Sequence, residues 1–286
     1  MGNKARSVTA ETVAIQRALH QTLDAAPRIF DDPIAPLLLD LTSESNKAHL
    51  AGVESMMRPV KSPFRAIFIM RSRYTEDCLA ESVARGVRQY VILGAGLDTF
   101  AYRQPAWGKS LRIYEVDHPT SQEAKRERLV DAQVSVPGNL IFAPINFETT
   151  SLREGLFAAG FDSGIPTFFS LLGVTQYLTG EAVESIFRFV QSQPRGTELV
   201  FDFIVPDDLM PAAEAAALGA IASFAADRGE PWLTILRPEE LKSRLTALGF
   251  SEAYHLSPQA ANERYFQGRR DDLAAWSGVQ IMRAIV

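Results

Sequence analysis

The chain has 286 residues and a net charge of −5, with 47% hydrophobic and 22% charged residues, the balance of an ordinary globular protein with a sizeable core. This acidic balance offers no field for nucleic acid or anionic lipid, so neither is expected as a partner. The single cysteine, Cys78, excludes an intrachain disulfide and a cysteine-built metal site, and suits a reducing, cytoplasmic setting.

The opening MGNKARSVTAET lacks the apolar core of a secretion signal, and Arg6 stands where a myristoylation pattern needs Ser or Thr. Thr9 or Thr12 can cap a helix over residues 10–25, whose Val13, Ala14, Ala18 and Leu23 recur at helical spacing. FDDPIAPLLL reads as a turn leading into an apolar helix. Residues 64–85 read as a long helix stopped by Gly86. After Gly86 the pattern changes. QYVILG is a short apolar run ended by glycine, as suits a buried parallel strand. Further strands are predicted at 111–116, 140–145, 167–173 and 197–205, with helices at 121–129, 152–159 and 180–193 between most of them. This alternation argues for an α/β fold built from βαβ units around a mostly parallel sheet. The Ala-rich segment 207–229 interrupts it and reads as a helical lid. A helix over 237–250, with Pro238 near its start and Gly249 at its end, precedes a last strand in SGVQIMRAIV. No apolar run approaches the ~20 residues of a membrane span, so no membrane partner is expected. The expected organisation is one domain: a helical cap (1–88), a cofactor-binding core (89–205), a lid (206–236) and the C-terminal part of the sheet (237–286).

The chemistry centres on YVILGAGLDTFAYR. Gly94-Ala95-Gly96 follows a strand and is expected to open a helix, where absent Cβ atoms let backbone N–H groups approach a ligand. Asp117 ends the next strand, 23 positions after Gly94, where a carboxylate can accept both hydroxyls of a ribose. The plain alternative is a tight turn with Asp117 as a capping residue. A dinucleotide fingerprint would want a third small residue where Thr99 stands. It would also start near the N-terminus, whereas about ninety residues precede this strand. S-adenosylmethionine, which carries ribose and adenine but no phosphate, fits both facts better. An NAD(P)-dependent oxidoreductase is the alternative.

At this point the chain resembles a known family. TAETVAIQRAL, IFDDPIA, MRSRYTEDCL, VILGAGLDTFAYR, IYEVDHP, PINFE, FFSLLGVTQYLT, GEPWLTILRPEELKSRLTALGF and ERYFQGRRDDL together resemble the leucine carboxyl methyltransferase family, and within it the bacterial O-methyltransferase branch. The resemblance implies a class I, Rossmann-like, seven-stranded sheet with added N-terminal helices and a lid, and an S-adenosylmethionine-dependent methyltransferase. It also implies site residues. Gly94, Ala95 and Gly96 form the glycine loop past the methionine part of the donor, and Asp117 binds the ribose. Asn146 and Phe147 grip the adenine, with Asn146 replacing an acid. Arg71 pairs with the methionyl carboxylate, and Arg17 is a second, looser candidate there. Leu172 stands where protein-carboxyl members carry a glutamate near the donor.

Other residues remain open between chemistry and structure. His118, beside Asp117, is a candidate base or a turn histidine in the ribose pocket. Tyr177 follows the fourth strand and is a candidate catalytic or substrate residue, or a buried tyrosine tied to backbone. Gln176 and Asp202 share that edge. Trp232, Arg264, Tyr265 and Arg269 are candidate walls of a substrate pocket, the arginines suiting a carboxylate. Arg71 and Arg73 could equally be solvated charges on a helix. His20, His49 and His255 read as structural or surface residues. No metal-ligand spacing is legible. The expected reaction is metal-free O-methylation of a small-molecule carboxylate or acidic hydroxyl, by a monomer or homodimer. A protein C-terminal carboxyl methyltransferase is a further alternative.

Overall fold

The computed structural model describes residues 8–39, 44, 48, 60, 64–146 and 150–286. Its centre is a seven-stranded sheet in the order β3-β2-β1-β4-β5-β7-β6. The strands are β1 (Gln89–Leu93), β2 (Arg112–Asp117), β3 (Leu140–Pro144), β4 (Thr167–Leu171), β5 (Glu198–Ile204), β6 (Glu252–Leu256) and β7 (Val279–Ile285). β1 to β5 are parallel, and β7 runs antiparallel between β5 and β6. QYVIL, TFFSL and ELVFDFI are buried along their whole length. Such runs are what a parallel sheet covered on both faces requires. β6 differs: EAYHL alternates outward and inward at the sheet edge. The residue pattern alone did not announce it, because its five residues carry only one large aliphatic side chain.

Eight α-helices are assigned among the described residues: α1 (Val8–Leu23), α2 (Arg65–Ala84), α3 (Pro119–Asp131), α4 (Leu152–Ala158), α5 (Gly180–Gln191), α6 (Ala212–Ala226), α7 (Pro238–Leu248) and α8 (Pro258–Ala261). Local chemistry fixes their ends. Ser151 and Glu154 form a capping box on α4, and Thr179 caps α5. Gly249 ends α7 at φ 101°, a left-handed conformation that costs glycine little. One sheet face, with Tyr90, Ile92, Ile113, Phe168 and Val200, packs with Ile67, Met70 and Leu79 of α2. The other, with Val91, Leu93, Val116, Phe169 and Phe201, packs with Phe187 of α5 and Leu241 and Leu245 of α7. Each such fully buried side chain contributes roughly 1.5–3 kcal/mol.

Three expectations change. Thr9 and Thr12, expected as caps, both lie inside α1. FDDPIAPLLL contains a 3-10 helix at Ala35–Leu38. The glycine turn after β1 opens no α-helix: the chain continues through 3-10 helices at Phe100–Tyr102 and Ala106–Ser110. The Asp98 side chain accepts the Phe100 N–H at 2.8 Å, and Pro105 bars helical continuation beyond Arg103. The loop therefore lacks the long helix dipole that suits a pyrophosphate. The strand order reverses beside β1, between β2 and β4, and the crevice at their C-terminal ends is where open α/β sheets bind ligands.

Candidate active site

Gly94, Ala95 and Gly96 lie at the end of β1. The N–H groups of Gly94 and Ala95 both donate to the Val116 carbonyl, at 2.8 and 3.0 Å, tying the loop to β2. Gly94 and Gly96 have φ of 67° and 46°, in the left-handed region. A Cβ on Gly94 would lie 2.3 Å from Val174 Cγ2. Gly94 is thus needed for the close approach of the chain leaving β4. A Cβ on Gly96 would meet only Ala10 of α1, at 3.3 Å.

Asp117, at the end of β2, accepts the N–H of Gly96 on Oδ2 and that of His118 on Oδ1. Burial pushes its carboxyl up, and these two N–H groups oppose the shift. A carboxylate has about four lone-pair directions, so further ones remain for ligand hydroxyls. The Asp117 carbonyl accepts from the Ile145 N–H at 2.9 Å, which sets Asn146 just past the end of β3, on the Asp117 side. Phe147 lies outside the described residues, as does His49.

Arg71 is 6% exposed, so it is no solvated surface charge. Its Nη1 donates to Asp202 Oδ2 at 2.6 Å, and Asp202 Oδ1 accepts the Gly173 N–H at 2.6 Å. A Cβ on Gly173 would lie 2.7 Å from Arg71 Nη2. The guanidinium therefore lies flat over a glycine at the turn leaving β4, with four of its five N–H donors not committed to Asp202. Asp202, expected at the acceptor, instead holds Arg71 and this turn.

α1 covers the glycine loop. Arg17 donates to the Leu97 carbonyl and lies 3.4 Å from Asp32. Asp32 accepts from Thr99 at 2.7 Å and from the Ala35 N–H at 3.0 Å. Arg103 lies 3.5 Å from Asp32 and pairs with Glu76 through both terminal nitrogens. Burial alone would raise the Asp32 carboxyl, but Arg17, Arg103 and Thr99 hold it below the usual carboxylate value. FDDP and LDTFAYR are therefore a charged clamp that sets α1 against the loop. Arg17 is bound within it.

At the far side of the loop, the segment after β4 forms a 3-10 helix over Thr175–Tyr177. The Gln176 carbonyl accepts the Leu233 N–H at 2.6 Å, and Leu178 accepts Thr234 Oγ1 at 2.6 Å. The chain beyond α6 is thereby pinned over this edge, bringing Trp232 to Tyr177. The Trp232 Nε1 atom is buried and makes no hydrogen bond among the described residues. Burial pushes the Tyr177 phenol up, with the nearby Trp232, Gln176 and Thr9 opposing and Glu230 adding to the rise. α6 itself is docked by Glu214, which accepts the N–H groups of Ser277 and Gly278 at 2.6 and 3.1 Å.

A profile described as leucine carboxyl methyltransferase matches residues 10–191 of this chain. The chain belongs to the leucine carboxyl methyltransferase family. A Bacillus subtilis relative, "Putative S-adenosyl-L-methionine-dependent methyltransferase YktD", is 32% identical over 98% of this chain and 97% of its own. A Mycobacterium marinum relative, "Putative S-adenosyl-L-methionine-dependent methyltransferase", is 35% identical over 63% of this chain and 59% of its own. Among solved structures, "a putative methyltransferase from Thermobifida fusca" superposes with a TM-score of 0.57 at 15% identity, over 85% of this chain and 88% of that one. A DUF574 family protein from Streptomyces avermitilis gives 0.53 at 16%, over 85% and 90%. At such identities these two likenesses speak to the fold, the class I methyltransferase sheet. The protein is an S-adenosylmethionine-dependent methyltransferase, and the NAD(P) alternative falls away.

The residues present fit the donor of the leucine carboxyl methyltransferase family. Asp117 would accept the ribose hydroxyls on its remaining lone pairs, Gly96 would leave room for the donor to pass, and Arg71 would offer N–H donors to its carboxylate. Leu172 is half-buried between β4 and Gly173. His118 is occupied as the cap of α3: its Nδ1 accepts the Thr120 N–H at 3.3 Å and lies 2.8 Å from Thr120 Oγ1. Arg264, Tyr265 and Arg269 turn away from the loop. They line a cavity of about 420 Å³ walled by Ala25–Ile29. Arg264 and Tyr265 there bind Asp77, and Arg269 binds Asp271. Their placement thus corrects the expectation of arginines at an acceptor beside the donor. His20 is buried between Asp24 and the Phe30 N–H. Among the described residues, no group of three His, Cys, Asp or Glu side chains is placed to hold a metal, and no helix is long and apolar enough to cross a membrane. Val174 and Glu230 were not singled out from sequence, and Thr9 only as a candidate helix cap. The available signal was that each lies within or beside a stretch that carries the family resemblance.

Proposed function

We propose that the protein transfers a methyl group to an oxygen of a small organic acceptor, a carboxylate or an acidic hydroxyl, without a divalent metal. The observation that carries this is the polar edge after β4. The Tyr177 hydroxyl and the unpaired Trp232 N–H converge where Val174 leans on Gly94. Buried N–H groups without partners are uncommon, and an oxygen acceptor would satisfy this one. When bound, S-adenosylmethionine supplies an electrophilic sulfonium methyl. The chain's part is to bind and orient. Asp117 and Arg71 fix the two ends of the donor, Tyr177 and Trp232 orient the acceptor oxygen, and α1 with the segment after α6 excludes water. Leu172, in place of the glutamate of protein-carboxyl members, supports an acceptor other than a protein C-terminus.

The test uses methyl-labelled S-adenosylmethionine, the protein, and a low-molecular-weight cell extract containing EDTA. Label is expected on oxygen in a small molecule, by mass spectrometry of the product. Label on nitrogen or carbon, label in protein alone, or activity that returns only with magnesium would contradict the proposal.

A further inference from the structure

Three segments that are far apart in sequence meet at one point above the glycine loop. Thr9 Oγ1 of α1 donates to Glu230 Oε2 at 2.8 Å, across 221 positions. Ala10, the next residue, packs over Gly96, where an added Cβ would lie 3.3 Å from the Ala10 Cβ. Glu230 is therefore carried by α1 to the mouth of the donor site. From the other side, Val174 abuts Gly94, and one short turn later the Tyr177 hydroxyl lies close enough for the Glu230 charge to oppose its ionisation. Trp232, two residues after Glu230, lies beside the Tyr177 hydroxyl, and its Nε1 makes no hydrogen bond among the described residues.

We propose that Glu230 is the general base of this enzyme and that the acceptor is a phenolic or enolic hydroxyl rather than a carboxylate. This rests on the reading of the site as an oxygen methyltransferase. A hydroxyl satisfies both groups at once: its O–H donates to Glu230, and its oxygen accepts from Trp232. A carboxylate would satisfy Trp232 but would face the Glu230 charge. Like charges in a water-poor site repel strongly. The cations that could offset this are engaged elsewhere. Arg71, held by Asp202, is assigned to the donor's own carboxylate, Arg264 binds Asp77, Arg269 binds Asp271, and Arg228 folds back on Phe224. The other candidate bases are also spent: His118 caps α3, and Asp202 holds Arg71 and Gly173. In the step, the hydroxyl proton passes to a Glu230 oxygen as the acceptor oxygen's electron pair forms the new C–O bond. The methyl–sulfur bond breaks with its electron pair going to sulfur, and the proton later leaves Glu230 for water.

The experiment isolates the labelled product formed from the extract and treats it with mild alkali. In parallel, Glu230→Gln and Glu230→Asp are measured for turnover and, by calorimetry, for S-adenosylhomocysteine affinity. An alkali-stable methyl ether is expected, with turnover at least about 100-fold lower in Glu230→Gln, as for loss of a general base. Glu230→Asp should retain more activity than Glu230→Gln, and product affinity should stay within about threefold of wild type in both, well under the tenfold that 1.4 kcal/mol represents. Release of labelled methanol by alkali would show an ester and overturn this inference while leaving oxygen methylation intact. Full turnover in Glu230→Gln, or a large loss of S-adenosylhomocysteine affinity, would overturn the role of Glu230. No labelled small molecule at all would overturn the parent reading, and this one with it.

Discussion

Gly173 shows how one residue sets the donor site. Its φ of 70° favours glycine, and the Arg71 guanidinium occupies the space a side chain would take. Asp202 fixes both partners from below. In Gly173→Ala the new methyl must displace Arg71 from Asp202 or shift the turn after β4, and the left-handed backbone costs on the order of 1–3 kcal/mol besides. Thermal denaturation should show that loss, and calorimetry should show S-adenosylhomocysteine affinity at least about tenfold weaker. Unchanged affinity in a folded variant would mean that Arg71 does not serve the donor. The role of Asp202 was not legible in its sequence position. A strand-end acid looks the same whether it faces a ligand or a neighbouring arginine, and only packing across 131 positions distinguishes them.

At the scale of elements, β2 and α3 are joined, two residues before Asp117, by a buried ion pair. Lys125 Nζ lies 2.7 Å from Glu115 Oε2, and both side chains are at most 1% exposed. Glu115 Oε1 has no hydrogen-bond partner among the described residues. Burial pushes the Glu115 carboxyl up to about 7, with Lys125 opposing. A carboxyl raised in the folded state above its ordinary value of 4.5 holds its proton more firmly when folded. Its contribution to stability is present below about 4.5, and is lost as pH rises through about 7. Asp24 and Asp32 act oppositely, since both are held low and their contribution is lost on acidification. Glu115→Gln leaves Lys125 buried without its charge partner, a cost of about 3–5 kcal/mol. The fall in melting temperature between pH 5 and pH 8 attributable to Glu115 should vanish in this variant, which has no carboxyl to titrate at that position. A pH profile parallel to wild type would contradict this coupling. The mixed charge run HPTSQEAKRERL reads as an exposed helix face. α3 is largely that, but Lys125 at its centre points inward.

Across the whole molecule, the alternation of strands and helices was legible because parallel strands need continuous apolar runs and each crossover needs its own segment. Gly94, Gly96 and Asp117 were legible because spacing along a strand–turn–strand unit is local. What escaped was non-local or unpatterned. β6 is a short edge strand whose outward face carries Glu252 and Tyr254. The 3-10 path after the glycine loop follows from Asp98 and Pro105 competing with a helix. α1 returns over the loop through Arg17, Asp32, Asp98 and Arg103, a clamp that joins three segments. The arginines of ERYFQGRR suggested an anionic acceptor, but folding gives them Asp77 and Asp271 as partners.

All of these features converge on one cleft, where β1, β2 and β4 end under α1, and whose anchor is Asp117. Calorimetric titration of S-adenosylhomocysteine into the wild-type protein and into Asp117→Asn tests this most directly. Wild type should bind one equivalent, and the variant at least about tenfold more weakly, since loss of a charged hydrogen-bond acceptor is worth about 1.5–3 kcal/mol. Equal affinity in the two proteins would contradict the placement of the donor against Asp117 at the end of β2.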